Sequence, residues 1–147
     1  MPWTFEKLLK DIDRKRLPKG AREEFIRRKQ SSYDFLLNAL KSDLLTEKQI
    51  INALYLVYEL RMFRDVIIKP DELFDVFLKL SLDSRNQIRN TAFKLSIIQY
   101  RVSKYYPSLQ LTSESVAKLK LNIDKVLSLG INADSITLME VVLKEEK

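Results

Sequence analysis

The 147-residue chain contains no cysteine and no histidine. It therefore has no thiol nucleophile, no disulfide, no imidazole base and no zinc site built on those residues. It has only two glycines, Gly20 and Gly130, so neither a glycine-rich phosphate loop nor a dinucleotide-binding fingerprint is present. Any catalysis would depend on Asp, Glu, Lys, Tyr or Ser alone. We therefore predict a protein that is not an enzyme and that holds no cofactor and no metal.

Long apolar stretches are also lacking, since no run approaches the roughly 20 residues that span a bilayer. The first residues do not show a basic region followed by an apolar segment, which a secretory signal requires. With 46% hydrophobic and 31% charged residues, the composition is typical of a folded globular chain. We expect a cytoplasmic protein with no membrane span.

What the sequence does contain is helical periodicity, with apolar residues three and four apart along nearly its whole length. No stretch shows the sustained alternation of a strand, so we predict an all-α fold. The second helical segment contains Ser31-Ser32 as a candidate interruption. The predicted helices cover about 4–17, 21–44, 46–64, 69–80, 84–106, 116–129 and 136–143.

Local signals mark several helix ends. The residues of Thr46–Gln49 and of Ser84–Gln87 each have the spacing of a capping box, in which two side chains satisfy two backbone N–H groups. Pro70 suits the first position of a helix, where no N–H donor is needed. Gly130 stands where a left-handed cap would end the sixth helix.

The sequence also repeats itself weakly. A shift of 38 places residues 33–58 on residues 71–96 with six identities, and the two capping boxes coincide. A period of this length built of two helices is typical of stacked helical hairpins. The polar identities are the most informative, because shared leucines arise by chance in amphipathic helices: Lys41/Lys79, Gln49/Gln87 and Asn52/Asn90.

The run Leu82–Leu95 resembles the second-helix signature of HEAT repeats, with Asp in the turn, an aliphatic-Arg pair five residues on, then Ala and Leu. The resemblance implies that Asp83 and Arg89 pair to brace neighbouring repeats. The earlier unit has Leu45 and Ile51 at these positions, so both charges are absent there.

The resemblance implies a right-handed α–α superhelix of about three stacked hairpins with an extra N-terminal helix, about seven helices in all. The alternative is a compact irregular bundle with duplicated hairpins. We expect one domain, 1–147, composed of a helix and basic loop (1–20), a first hairpin (21–65), a second hairpin (70–106) and a degenerate third hairpin (111–147).

In HEAT arrays the second helices line a concave face to which partners bind, so the resemblance implies a protein–protein interaction module, a scaffold or adaptor. Here that face would be built from the third and fifth helices. The alternative is an ordinary solvated face, with the aromatic members belonging to a wide core. The expected partner-binding residues are Asn52, Tyr55, Glu59, Phe63, Asn90, Lys94, Arg101 and Lys104.

A second interpretation comes from charge. The net charge is +6, and residues 1–30 carry ten Lys and Arg against five Asp and Glu, while the remainder is nearly balanced. Clustered cations of this kind can neutralise phosphates, which makes a nucleic-acid-binding accessory protein the alternative function. Glu23 and Glu24 interrupt the cluster, and Trp3 is expected to cap the core. The candidate nucleic-acid-binding residues are Arg14, Arg16, Lys19, Arg27 and Arg28.

Overall fold

A computed structural model describes residues 3–145, and within that range the chain forms eight α-helices and no strand. The predicted all-α fold is confirmed, with one helix more than expected. The helices fall into two compact units, one up to Ile67 and the other from Ile68 onward. The two helix pairs that the 38-residue shift matches therefore belong to different units.

The first unit contains four helices: α1 (Phe5–Asp11), α2 (Lys19–Arg28), α3 (Gln30–Lys41) and α4 (Glu47–Leu60). Helix α3 packs on α4, and α2 contacts both. Phe5 of α1 stacks on Phe35 of α3, with ring centroids 4.6 Å apart. The predicted first helix is shorter than expected, because it ends at Asp11 rather than Leu17. The connection that follows, residues 12–18, is called the α1–α2 loop below.

The predicted single helix over 21–44 is wrong, and the break lies at Lys29 rather than at Ser31-Ser32. Lys29 has a φ of +46°, which interrupts the helix and strains any residue with a Cβ. Contacts from the end of the unit hold this bend. The Lys29 ammonium donates to Asp65 at 3.0 Å, and the Gln30 amide bonds both the N–H and the C=O of Ile67.

The second unit contains α5 (Pro70–Leu80), α6 (Asn86–Ser103), a 3-10 turn (Pro107–Leu109), α7 (Ser113–Leu129) and α8 (Ala133–Lys144). Helix α5 packs on α6 and α7, and α6 contacts α8. The helices predicted for the third hairpin are thus present. The core of this unit comprises Phe74, Leu78, Phe93, Ile97, Tyr100, Leu111, Leu119, Val126, Met139 and Val142.

Three of the predicted helix-end signals are confirmed. Thr46 and Gln49 form both bonds of the capping box at the start of α4. Pro70 occupies the first turn of α5. Gly130 ends α7 with a φ of +99°, and its N–H donates to the carbonyl of Val126 at 3.0 Å.

The second capping box, at Ser84–Gln87, does not form. Helix α6 begins one residue later, with Arg85 as its N-cap and no side chain bonded to the first turn. The Asp83 carboxylate instead accepts the Arg85 backbone N–H at 2.9 Å and also binds the Arg85 guanidinium. These bonds lower the pKa of Asp83 from its ordinary value.

Arg89 occupies a different position from the one that the resemblance implies. Its side chain is buried, with 4% of the residue exposed, and it donates to backbone carbonyls rather than to the Asp83 carboxylate. The acceptors are the carbonyls of Gly130 at 2.6 Å, Asp83 at 2.9 Å and Ser84 at 3.2 Å, together with the side chain of Asn86. Arg89 thus joins the start of α6 to the connection between α7 and α8.

Replacing Arg89 should therefore destabilise the second unit. Arg89→Met leaves three partly buried carbonyls without this donor and should lower the free energy of unfolding by about 3 kcal/mol. Arg89→Lys should restore only part of this, since one ammonium lacks the spread donors of a guanidinium. Urea unfolding followed by circular dichroism measures both variants.

The control is Arg85→Ala, which removes an exposed ion pair and should cost no more than about 1 kcal/mol. A stability of Arg89→Met within about 1 kcal/mol of wild type would contradict the bracing role.

Gln99, near the middle of α6, is fully buried, and neither atom of its amide has a hydrogen-bond partner within residues 3–145. A buried amide without partners costs about 1–3 kcal/mol. Gln99→Met keeps the shape and removes the polar atoms, so the melting temperature should rise. Gln87→Met, an exposed change on the same helix, should leave it unchanged. A lower melting temperature for Gln99→Met would mean that the amide has a partner.

Candidate binding surfaces

The predicted partner-binding residues of α4 separate into buried and exposed groups. Asn52 is buried, and its amide donates to the carbonyls of Ile12 at 2.8 Å and Arg14 at 2.9 Å. Placing it on an exposed face was wrong, because a polar side chain can be buried when loop carbonyls need a donor. Its place in the structure is that of a support for the α1–α2 loop.

Tyr55 and Glu59 do reach the surface of α4. Tyr55 is 47% exposed, and Glu59 accepts from the guanidinium of Arg22 on α2, with the Nε at 3.2 Å. Phe63 is half-buried beneath the Lys29 ammonium, which lies 5.1 Å from the ring centroid.

Sequence reasoning missed Met62, which is 68% exposed. Met62 lies in the turn just after α4, and its position seven residues after Tyr55 was the available signal. We call Tyr55, Glu59, Met62 and Arg22 the α4 patch.

The predicted residues of α6 also differ in accessibility. Asn90 is half-buried, donates to the carbonyl of Asn86 at 2.8 Å and accepts the backbone N–H of Asn132 at 2.8 Å, so its amide is engaged within the unit. Lys94 is exposed, in agreement with the expectation.

Near the end of α6, Arg101 and Lys104 are exposed and each has a partner. Arg101 binds Glu145 at 3.0 Å, and the Lys104 ammonium lies 4.4 Å above the Tyr100 ring. Tyr105, which follows them, is 63% exposed and donates to Glu145 at 3.3 Å. This end of α6 therefore presents an aromatic residue among paired charges.

The cations of the basic N-terminal segment fall into two groups, those that bind a carboxylate and those that do not. Arg27 and Arg28 both bind Glu24, and Arg28 also donates to the backbone carbonyl of Trp3. The hydrogen bonds from Arg27 and then Arg28 lower the pKa of Glu24 to about 2, so this carboxylate stays charged well into the acid range. One carboxylate balances only one of these two positive charges, and phosphate binding by Arg27 and Arg28 stays a prediction.

The remaining cations lie in the α1–α2 loop or next to it. Arg14, Lys15 and Arg16 are exposed, and none has an ion pair within the described part of the chain. Lys19 lies 3.9 Å from Glu23, with 90% of its side chain exposed. The available positive charge is therefore concentrated over about six residues.

Three polar side chains at the start of α4 bind this loop and the end of α1. Besides the two bonds from Asn52, the Gln49 amide donates to the carbonyl of Leu9 at 2.9 Å. The Thr46 hydroxyl donates to the Asp13 carboxylate at 2.7 Å. Since Asp13 is held in this way by α4, the one acid of the loop is directed to Thr46.

Neither a metal cluster nor a spanning segment is found in the part of the chain that the structure describes. No three acidic side chains come together there in a group that could hold a metal ion. No helix there is long and apolar enough to cross a bilayer.

Comparisons of the chain with protein-family models, curated proteins and solved structures return no match. The HEAT-like resemblance therefore stays a prediction.

The support given by Asn52 can be tested directly. Asn52→Leu leaves the carbonyls of Ile12 and Arg14 without donors and should lower the free energy of unfolding by about 2 kcal/mol. It should also speed trypsin cleavage within the α1–α2 loop, since a loosened loop enters a protease more readily. Mass spectrometry of early digestion products measures this rate.

The matched control is Asn38→Leu on the exposed side of α3, which should leave both the stability and the cleavage rate near those of the wild type. Equal cleavage rates in all three proteins would show that Asn52 does not hold the loop.

Proposed function

We propose that the chain is a non-enzymatic protein-binding module, a scaffold or adaptor, and that the α4 patch is its principal contact surface. The observation that carries the proposal is the exposure of Tyr55 on α4 and of Met62 in the turn that follows it, together with the Arg22–Glu59 ion pair of the same unit. Tyr, Met and Arg are the residue types enriched at protein interfaces, where large side chains combine contact area with hydrogen bonding.

The helix that carries this patch is firmly anchored, which suits a preformed binding surface. Leu54, Leu56 and Leu60 on its other sides are fully buried, and the capping box fixes its first turn. A rigid surface loses little conformational entropy on binding, so less of the favourable free energy of contact is lost to ordering the side chains.

The exposed end of α6 supports the same kind of function in the second unit. Arg101, Lys104 and Tyr105 there combine an exposed aromatic ring with charged side chains, as interface rims commonly do. Lys94 lies on the same helix. We propose this as a second contact surface, described within its own unit.

The proposal includes a HEAT-like right-handed superhelix and a cytoplasmic location. The superhelix is supported by which helices contact each other within each unit. In the second unit α5 packs on α7 and α6 on α8, and in the first unit α2 packs on α4 while Phe5 of α1 stacks on Phe35 of α3. Contact between alternate helices is the pattern that stacked hairpins produce.

The double variant Tyr55→Glu/Met62→Glu tests the α4 patch. It places two charges in the centre of the proposed interface, so proteins captured from the native host by wild type should fall about tenfold or more in yield, since each buried unpaired charge costs several kcal/mol. Quantitative mass spectrometry of the captured proteins gives the measurement, and circular dichroism confirms that the helices and melting are unchanged.

The matched control is Leu44→Glu/Ile67→Glu, which introduces the same charge at two highly exposed apolar positions of the same unit. Capture should survive in this control. If the test variant and the control retain the same proteins as the wild type, the α4 patch is not the interface.

A further inference from the structure

The positive charge of the α1–α2 loop has no use within the unit. Arg22, Arg27, Arg28 and Lys29 each bind a carboxylate, whereas the three loop cations have no ion pair among residues 3–145. Adjacent like charges repel one another, so three unpaired cations on a loop whose backbone is held by Asn52 attract an external anion.

The loop is also held in a way that suits binding. The buried Asn52 amide fixes the carbonyls on both sides of Asp13, and Asp13 itself is bound by Thr46. Fixing the backbone before the ligand arrives removes part of the entropy cost of ordering the cations around it.

An exposed aromatic ring lies at the end of this loop. Trp3 is 36% exposed rather than buried as a core cap, and the outer edge of its indole lies against Gly20, where a Cβ would be 3.4 Å from the ring. Gly20 is in the first turn of α2, two residues after the loop ends at Pro18. The Lys7 ammonium lies 5.6 Å from the centroid of the same ring.

We propose that Trp3 and the loop cations Arg14, Lys15 and Arg16 form a binding surface for single-stranded nucleic acid. Phosphates bind the cations, and an unstacked base lies on the indole. A line of positive charge beside an accessible aromatic ring is the combination with which proteins bind single strands without sequence preference. A base inside a duplex is already stacked on its neighbours and does not offer its face to the ring.

A lipid surface fits these residues less well. Interfacial binding requires a stripe of apolar side chains free to enter the headgroup region. The apolar residues of α1 are not free, because Leu8 is fully buried and Phe5 stacks between Phe25 and Phe35. Trp3 alone does not make such a stripe.

The experiment uses the full chain with labelled oligo(dT) and oligo(U), measured by fluorescence anisotropy. Because Trp3 is the single tryptophan of the chain, its emission reports stacking directly. Binding should quench that emission. Three phosphate contacts to a single strand predict that affinity falls roughly twentyfold between about 50 and 200 mM salt.

The variant Arg14→Ala/Lys15→Ala/Arg16→Ala should weaken binding by about tenfold or more at low salt. The control Lys79→Ala/Lys120→Ala/Lys125→Ala removes the same charge from exposed positions of the second unit and should change affinity by less than about twofold. Trp3→Ala should weaken binding about tenfold, while Trp3→Phe, which keeps a ring, should retain most of it.

Several results would overturn the proposal. These are no binding at low salt, equal loss in the loop variant and its control, or binding without a change in Trp3 emission. Equal affinity for duplex and single-stranded nucleic acid would show that binding does not involve an unstacked base on the Trp3 ring. Binding to phosphatidylserine vesicles but not to either oligonucleotide would assign the surface to membranes. These residues are separate from the α4 patch except in sharing its unit, so the two proposals are tested independently.

Discussion

The structure depends on buried polar side chains that bind the backbone of a neighbouring connection. In the first unit Asn52 holds the carbonyls of the α1–α2 loop, and in the second Arg89 holds the carbonyl of Gly130. The partners are 38 to 41 residues apart in the sequence, close to the length of one helical hairpin. A short amphipathic hairpin cannot bury its apolar face alone. These bonds therefore fix how each hairpin meets the next within its unit, where apolar packing alone allows several registers.

The same bonds connect the fold to the proposed surfaces. Asn52 uses its amide on the loop and Gln49 uses its amide on the carbonyl of Leu9 in α1, whereas Tyr55, one turn further along α4, is exposed. The loop in turn presents its cations from a fixed backbone. The side chain that supports the loop and the exposed side chain proposed for partner binding thus lie on successive turns of α4. A buried amide lowers the stability of the fold unless each of its N–H groups has an acceptor. Both N–H groups of the Asn52 side chain have an acceptor.

The sequence predicts several of the elements that local chemistry decides, although the capping box at Ser84 does not form. The capping box at Thr46, the proline at the start of α5 and Gly130 at the end of α7 each satisfy or remove particular backbone donors, and all three are found. Elements that depend on contacts between residues far apart in the sequence were not predicted. The bend at Lys29 has no glycine or proline and is held by Asp65 and Ile67. Helical periodicity predicts that Asn52 is exposed, yet Asn52 is buried and binds carbonyls 38 and 40 residues away in the sequence. A local contact was missed as well, because Glu24 binds two arginines that composition alone counts as free.

One buried polar side chain thus holds each unit together, the Asn52 amide in the first unit and the Arg89 guanidinium in the second. Hydrogen exchange of their side-chain protons, followed by nuclear magnetic resonance on the intact chain, tests this most directly. The account predicts that the Asn52 amide protons and the Arg89 Nε proton exchange far more slowly than those of exposed side chains such as Asn38, since they leave their acceptors only when the unit opens. Exchange of either as fast as that of an exposed side chain would contradict it.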